Sequence, residues 1–196
     1  MSLAFSLGGC ANIRITEDNV TKAVSIVEKA LREFDRDTLQ KYVDSKTLKY
    51  IFQFAEKNEQ VAEIGRLMFE NLEMTVKSVD EENKTVTVEV KNKDLALVGE
   101  RYSRLLKAKS KGSTVEMLKL FGDEEFLDIS VKTLTAQISR ATIPDNPTEI
   151  TLTVKEGKKN LVLYFNEAAE DAVSGGAVNA ITNAFQTGST ESTTKE

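Results

Sequence analysis

The spacing of hydrophobic and polar positions divides the chain into helical and extended segments. In residues 17–34 the apolar side chains recur every three or four residues, which predicts one buried face of an α-helix. Thr16 is the predicted N-cap of this helix. The same spacing predicts three further helices up to residue 70, with Asp37 capping the second and Ser45 capping the third. The first third of the chain is therefore predicted to be helical.

Two regions contain segments that alternate between apolar and polar residues, which is typical of β-hairpins. In the first, residues 72–79 lead through a polar turn into residues 85–90, where Val86, Val88 and Val90 share one face. In the second, residues 150–154 alternate, and residues 161–165 follow a turn that contains a glycine. The apolar run in 161–165 suggests burial on both faces or strong packing on one. Since each hairpin has an apolar face, the two hairpins need a common partner.

The segments between and after the hairpins return to helical spacing. One helix is predicted to begin at Asn92 or Asp94, and another at Ser113 or Thr114. A last helical region, interrupted by two glycines, is predicted to begin at Asn166.

This order of elements predicts an α+β domain. The expected architecture is a curved antiparallel sheet of about four strands, formed by the two hairpins, with several helices covering its concave side. We expect residues 16–186 to form this single domain. Residues 1–15 are interpreted as the remnant of a signal peptide, a lipobox and a tether, and the low-complexity residues 187–196 as a disordered tail.

Composition narrows the chemistry that the domain can perform. Hydrophobic residues make up 40% of the chain, charged residues 29%, and the net charge is -5 with acids and bases interspersed. This pattern argues against nucleic acid as a partner, because such binding needs clustered Lys and Arg. The chain has no His and one Cys, so we expect no metal centre, no cofactor and no intramolecular disulfide.

The single cysteine, Cys10, follows an apolar stretch and two glycines, an arrangement typical of the end of a secretory signal. Leu7-Gly8-Gly9-Cys10 resembles the lipobox of bacterial lipoproteins. The resemblance implies that the Cys10 thiol carries a diacylglycerol anchor, which holds the protein at the outer face of the bacterial cell membrane. The alternative is a chance Leu-Gly-Gly-Cys in a terminal segment.

Two longer segments also resemble a known family. They are LEMTVKSVDEENKTVTVEVKNKDLALVGERY (residues 72–102) and EITLTVKEGKKNLVLYFNEAAEDAVSGGAVNAI (residues 149–181). Together with the acidic start of the first helix they resemble an extracytoplasmic lipoprotein domain of Gram-positive bacteria. That resemblance implies a cone-shaped α+β fold like that of nuclear transport factor 2. It implies no catalytic residues, because the function of the family is largely unknown.

Three residues are weak candidates for a ligand site inside such a cone, namely Tyr102, Tyr164 and Asp128. Both tyrosines occupy apolar-periodic or strand positions, so core packing is the favoured interpretation, and Asp128 is expected to be solvated. The acidic run 80–82 could bind a hard cation, but a solvated turn is favoured. A basic cluster at 101–111 is similarly interpreted as a solvated helix end rather than a surface for anionic lipid.

The sequence therefore predicts a non-catalytic, membrane-anchored lipoprotein that binds a small apolar ligand or an envelope protein at the cell surface. Two alternatives stay open: an enzyme with its active site in the cone pocket, and a purely structural interaction module of the envelope. An apolar cavity with one or two polar groups would favour ligand binding or catalysis. A filled core with an exposed apolar patch would favour the structural module.

Overall fold

A computed structural model describes residues 12–186. The predicted lipidation site at Cys10 and the predicted tail at 187–196 lie outside these residues. Within the described range the chain forms an α+β fold with nine helices and five strands. In chain order the elements are α1 Glu17–Glu33, α2 Arg36–Tyr42, β1 Val43–Asp44, α3 Lys46–Ala55, α4 Glu59–Phe69, β2 Glu73–Asp80, β3 Thr85–Lys91, α5 Ala96–Ser110, α6 Thr114–Leu120, α7 Glu124–Ile138, β4 Thr148–Glu156, β5 Leu161–Tyr164, α8 Glu167–Val173 and α9 Ala177–Gln186.

Several helices begin where a polar side chain can cap the free backbone N–H groups. The side chain of Thr16 accepts a hydrogen bond from the backbone of Asn19 at the start of α1, and that of Asn166 accepts one from Ala169 at the start of α8. Ser45 Oγ accepts one from Leu48 N at 3.0 Å. These hydrogen bonds confirm the three predicted caps. Each cap satisfies a backbone N–H group that has no partner within its helix.

The predicted cap of α2 is wrong by two residues. Asp35, not Asp37, precedes the helix and accepts a hydrogen bond from Thr38 N at 3.2 Å. The reason is the left-handed backbone of Phe34, with φ of 52°, which ends α1 and leaves Asp35 as the next extended residue. An apolar residue in this conformation is uncommon, so the spacing alone did not indicate it.

The start of α5 also differs from the prediction, because Leu95 occupies the cap position. Asp94 lies one residue earlier, and its Oδ1 accepts a hydrogen bond from Ala96 N at 3.2 Å. Asn92 is buried and donates from Nδ2 to the carbonyls of Met68 and Val173, at 3.0 and 2.7 Å. Asn92 therefore joins α4 and α8 instead of beginning a helix.

The described strands form one mixed sheet in the order β1-β5-β4-β3-β2. The two predicted hairpins are present and pair through β3 and β4. The expectation of about four antiparallel strands is corrected by β1, which adds a fifth strand and runs parallel to β5. At two residues, β1 is too short to produce an alternating pattern, and its partner lies far along the chain.

The core lies between the sheet and the helices. Val86, Val88 and Val90 are all buried, which confirms the predicted inner face of β3. On that face α1 packs against β2 and β5. A second apolar cluster, which includes Tyr102, is formed mainly by residues of α5 and α7.

The segment before α1 is attached to the turn between β4 and β5. Ile13 N donates to the carbonyl of Gly157 at 2.9 Å, and Ile15 N donates to the Glu156 side chain at 3.3 Å. Because Ile15 is also buried, the chain is fixed to this end of the sheet before the first helix begins.

Two glycines connect α8 to α9 in left-handed backbone conformations, with φ of 61° at Gly175 and 84° at Gly176. The Gly175 carbonyl accepts a hydrogen bond from Leu95 N at 2.7 Å. A Cβ atom added at Gly175 would lie only 1.9 Å from the carbonyl oxygen of Lys93. This close approach directs α9 along α5, where both helices border the cavity described next.

Candidate functional site

A cavity of about 300 Å³ lies among α3, α4, α5, α7, α8 and α9. Each helix turns an apolar stripe toward it, and the loop residues between the helices complete the wall. The apolar lining residues include Leu48, Ile51, Val61, Ile64, Met68, Val98, Leu106, Leu134, Ile138, Phe165, Val173, Ala177 and Ile181. The wall is therefore almost entirely hydrocarbon, with a few polar groups set into it.

The close packing of α9 on α5 forms one side of the cavity. A Cβ atom at Gly99 would lie 2.7 Å from the carbonyl oxygen of Ala177, a backbone atom with little freedom to move. Gly99 thus allows two helices to approach more closely than any other residue would permit. Gly99 and Ala177 both line the cavity.

Tyr102 contributes one of these polar groups. Its side chain is buried, and its Oη donates to Ser130 Oγ at 3.3 Å, while Ser130 Oγ donates to the carbonyl of Phe126 at 2.8 Å. Burial raises the pKa of the Tyr102 phenol, and the hydrogen bond to Ser130 offsets part of this rise. Tyr102 is consequently a neutral hydrogen-bonding group at physiological pH.

This pKa shift makes stability depend on pH in the alkaline range. A pKa that is higher in the folded than in the unfolded state stabilises the fold below about pH 10, and the contribution is lost as pH rises. We expect the free energy of unfolding of the wild type to fall more steeply than that of Tyr102→Phe between about pH 9 and about pH 11. Urea unfolding of both proteins measures the difference, since the lysines titrate equally in each. Parallel curves would contradict the prediction.

Glu170 contributes a second buried polar group, a carboxyl group, to the cavity wall. This residue is 8% exposed, and it lines the cavity from α8. Its Oε1 accepts a hydrogen bond from Ser45 Oγ, and its Oε2 accepts one from Thr47 Oγ1, both at 2.5 Å. The carboxyl group thus connects α8 to the start of α3, where Ser45 also serves as the helix cap.

The three sequence-predicted candidates are not brought together. Tyr102 lies in the wall of the cavity, whereas Tyr164 and Asp128 do not. Tyr164 is 40% exposed and its ring lies 5.7 Å from Lys155 Nζ, so core packing was the wrong expectation for it. In β5 the alternation directs Leu161 and Leu163 inward and Tyr164 outward. Asp128 is exposed on α7 and accepts a hydrogen bond from Gln60 Nε2 at 3.2 Å.

Sequence reasoning did not identify Glu170, although a signal was present. Ala169 and Val173 are four residues apart and mark the apolar face of α8, and Glu170 lies on the same side, three residues before Val173. A Glu at such a position is buried among apolar residues. Its partners, Ser45 and Thr47, lie more than 120 residues earlier, so the pattern could not indicate them.

A second, more polar cleft of about 430 Å³ lies beside the α8–α9 junction. Its walls include Asn92, Lys93, Asp171 and Gly175. Asn92 and Gly175 already make the backbone contacts described above, and Lys93 Nζ lies 2.9 Å from Glu70 Oε1. These three residues of the cleft are thus engaged in contacts that hold the fold.

The acidic turn at 80–82, where a cation site was the less favoured interpretation, has the geometry of a hydrogen-bonded turn. Asp80 accepts hydrogen bonds from the backbone and side chain of Asn83, at 2.8 and 2.7 Å, and these bonds lower the pKa of its carboxyl. Among residues 12–186 no group of three or more acidic or cysteine side chains is placed to hold a metal ion.

Comparisons with protein-family models, with curated proteins and with solved structures find no match to this chain. Within the part of the chain that the structure describes, every helix is too short or too polar to cross a membrane. The functional assignment therefore depends on the cavity and on the residues that line it.

Proposed function

We propose that this protein is a non-catalytic lipoprotein that binds a small apolar ligand in the cavity among its helices. The observation that carries the proposal is the cavity itself, with a volume of about 300 Å³ and an apolar wall interrupted by Tyr102 and Glu170. Ligand sites are typically concave, mostly apolar and furnished with a few polar groups that orient the ligand. This cavity has those properties, at the small end of the usual size range.

The size of the cavity limits the ligand to a small molecule. An apolar cavity of about 150 Å³ in another protein is large enough to bind benzene. The cavity here has about twice that volume, which suits a medium-length alkyl chain or a small ring system. Burial of each CH₂ group stabilises such a complex by about 0.8 kcal/mol, so hydrocarbon contact supplies most of the affinity.

The proposal includes a lipid anchor on Cys10 and a position at the outer face of the bacterial cell membrane. It is supported by the Leu7-Gly8-Gly9-Cys10 sequence and by the apolar stretch before it. A nuclear transport factor 2-like cone also belongs to this proposal. The packing of α1 across the inner face of the sheet supports it, although the mixed five-stranded sheet departs from the two-hairpin arrangement that was expected.

The ligand-binding proposal predicts that a larger side chain in the wall abolishes binding. Val98 is buried and lines the cavity from α5. We expect Val98→Phe to place its ring in the empty space and to weaken the binding of decanol at least tenfold, with little loss of Tm. Isothermal titration of the purified protein with decanol measures the affinity directly.

Val115→Phe is the matched control, because Val115 is 63% exposed on α6 and is absent from the cavity wall. This variant should bind decanol as the wild type does. Equal binding by the wild type and Val98→Phe would place the ligand elsewhere. A failure of the wild type to bind decanol or any other short-chain amphiphile would contradict the proposal.

The anchor predicts a second experiment, in the native host. Cys10→Ser should move the protein from the membrane fraction into the medium, or leave the precursor unprocessed, because the thiol that would receive the lipid is absent. Fractionation and intact mass of the wild-type and variant proteins measure this outcome. Unchanged membrane attachment together with an unchanged mass would disprove lipidation at Cys10.

One observation favours docking of an envelope protein as a second candidate function. Val115 and Leu118, three residues apart on α6, are 63% and 49% exposed, so they form a small apolar surface on one side of that helix. Crosslinking in the native host, with the Val115→Ser/Leu118→Ser double variant as control, would identify such a partner.

An enzyme is the remaining alternative, and saturable turnover lost in Tyr102→Phe would support it.

A further inference from the structure

We infer that the ligand of the cavity is an amphiphilic amine, whose ammonium group binds Glu170 and whose hydrocarbon chain fills the apolar wall. The inference deepens the proposed function and rests on it. It begins from an unusual juxtaposition, in which an acidic residue that is only 8% exposed lines a cavity whose wall is mostly hydrocarbon.

The hydrogen bonds of Glu170 leave part of its acceptor capacity unused. A carboxylate has two oxygens and about four acceptor positions. Ser45 and Thr47 each donate one hydrogen bond, one to each oxygen. About two positions therefore remain for another donor, at a group that already forms part of the cavity wall.

The negative charge of Glu170 is not matched by a basic side chain. Among residues 12–186 no Lys or Arg lines the cavity, and Glu170 takes part in none of the ion pairs formed in that range. Buried charges are normally paired, since two neutral hydroxyl groups compensate only part of the lost hydration. A cationic group supplied by the ligand would complete the site.

The chemistry of the head group follows from these contacts. An ammonium group is a compact cation with donors only, so it can satisfy both remaining acceptor positions and the charge. An alcohol can donate one hydrogen bond but brings no charge, and a carboxylate would be repelled. Charge-assisted hydrogen bonds are stronger than neutral ones, and we therefore expect an amine to bind about ten- to a hundredfold more tightly than an alcohol of equal length.

Three probes of equal chain length separate the head group from the hydrocarbon. Decylamine, decanol and decanoate are titrated at neutral pH into the wild type and into Glu170→Gln. In the wild type we expect decylamine to bind most tightly and decanoate most weakly. In Glu170→Gln, which keeps the shape of the side chain but loses its charge, decylamine should lose its advantage, so that decylamine and decanol bind within about twofold of each other.

Two further variants guard against a loss of structure, because Glu170 also holds the start of α3. Thr47→Val removes one hydroxyl donor but keeps the carboxylate, and it should retain the preference for decylamine. Thr135→Val removes a hydroxyl that lies outside the cavity wall and whose hydrogen bond is to Val131 O at 2.8 Å, and it should leave all three affinities unchanged. The Tm of each variant identifies any that does not fold, in which case the order of affinities in the wild type decides.

The outcomes distinguish this inference from the proposed function. Equal binding of the three probes by the wild type, tighter binding of decanoate, or a decylamine preference that persists in Glu170→Gln would overturn the amine assignment. Each of these results would leave the cavity as an apolar ligand site. Absence of binding by all three probes would instead overturn the proposed function together with the inference.

Discussion

Val88→Asp is expected to unfold the domain or to lower its free energy of unfolding by several kcal/mol. Val88 is fully buried in the centre of the sheet, where it lies opposite Val76 on β2 and Ile150 on β4. An aspartate at this position would be a buried charge without a partner. Since single domains have a stability of about 5–15 kcal/mol, this one substitution removes a large part of it. Urea unfolding followed by circular dichroism measures the loss.

Thr87→Asp introduces the same charge one residue earlier, on the opposite and partly solvated face of β3. Its effect should be much smaller, within about 1 kcal/mol, because the carboxylate can remain hydrated. A comparable loss of stability in the two variants would show that the inner and outer faces of β3 are assigned the wrong way round.

Gly175→Ala, at the junction of α8 and α9, is expected to destabilise the fold strongly. The added methyl group would lie 1.9 Å from the carbonyl oxygen of Lys93, and the backbone would also be held at a φ of 61°. The Lys93 oxygen and the strained φ angle both belong to the backbone, so a change of side-chain rotamer cannot relieve either the clash or the strain. We expect a loss of about 3 kcal/mol or more, together with weaker ligand binding as α9 shifts along α5. Thermal unfolding and decanol titration measure the two effects.

Gly112→Ala is the matched control, because it shows the effect of a left-handed backbone without the effect of a steric clash. Gly112 has a φ of 75°, yet a Cβ atom there would meet nothing within 4 Å. This variant should therefore show only the strain of a left-handed alanine, about 1–2 kcal/mol. If both alanine variants lost the same stability, the close approach of Gly175 to Lys93 would have no energetic importance.

Local interactions explain most of what the sequence predicted correctly. The caps at Thr16, Ser45 and Asn166 act on backbone groups three residues away, and the alternation in β3 depends only on the geometry of a strand. Such features are encoded within a few neighbouring positions. The α+β class followed from them, because it needs only the order of helices and hairpins.

The features that sequence did not predict depend on contacts between distant segments. The parallel pairing of β1 with β5 joins residues 43–44 to residues 163–164, and two residues contain no periodic signal. The cavity forms where the stripes of six helices fail to fill the space between them, which depends on helix positions rather than on any one stripe. Glu170 is unusual only once Ser45, Thr47 and the cavity are placed around it.

The attachment of Ile13 and Ile15 at the β4–β5 turn would determine which side of the protein faces a membrane. If Cys10 carries the proposed anchor, only two residues lie between it and Ile13, whose N–H is bonded to Gly157. The three steps from Cys10 to Ile13 span at most about 11 Å. Because this connecting segment is so short, the end of the sheet that carries the β4–β5 turn would lie against the lipid headgroups. The exposed Lys158 and Lys159 at that end would then lie where anionic lipids attract them, by about 1 kcal/mol each. A protein held in this way would face the bilayer with one fixed side and could not tumble freely above it.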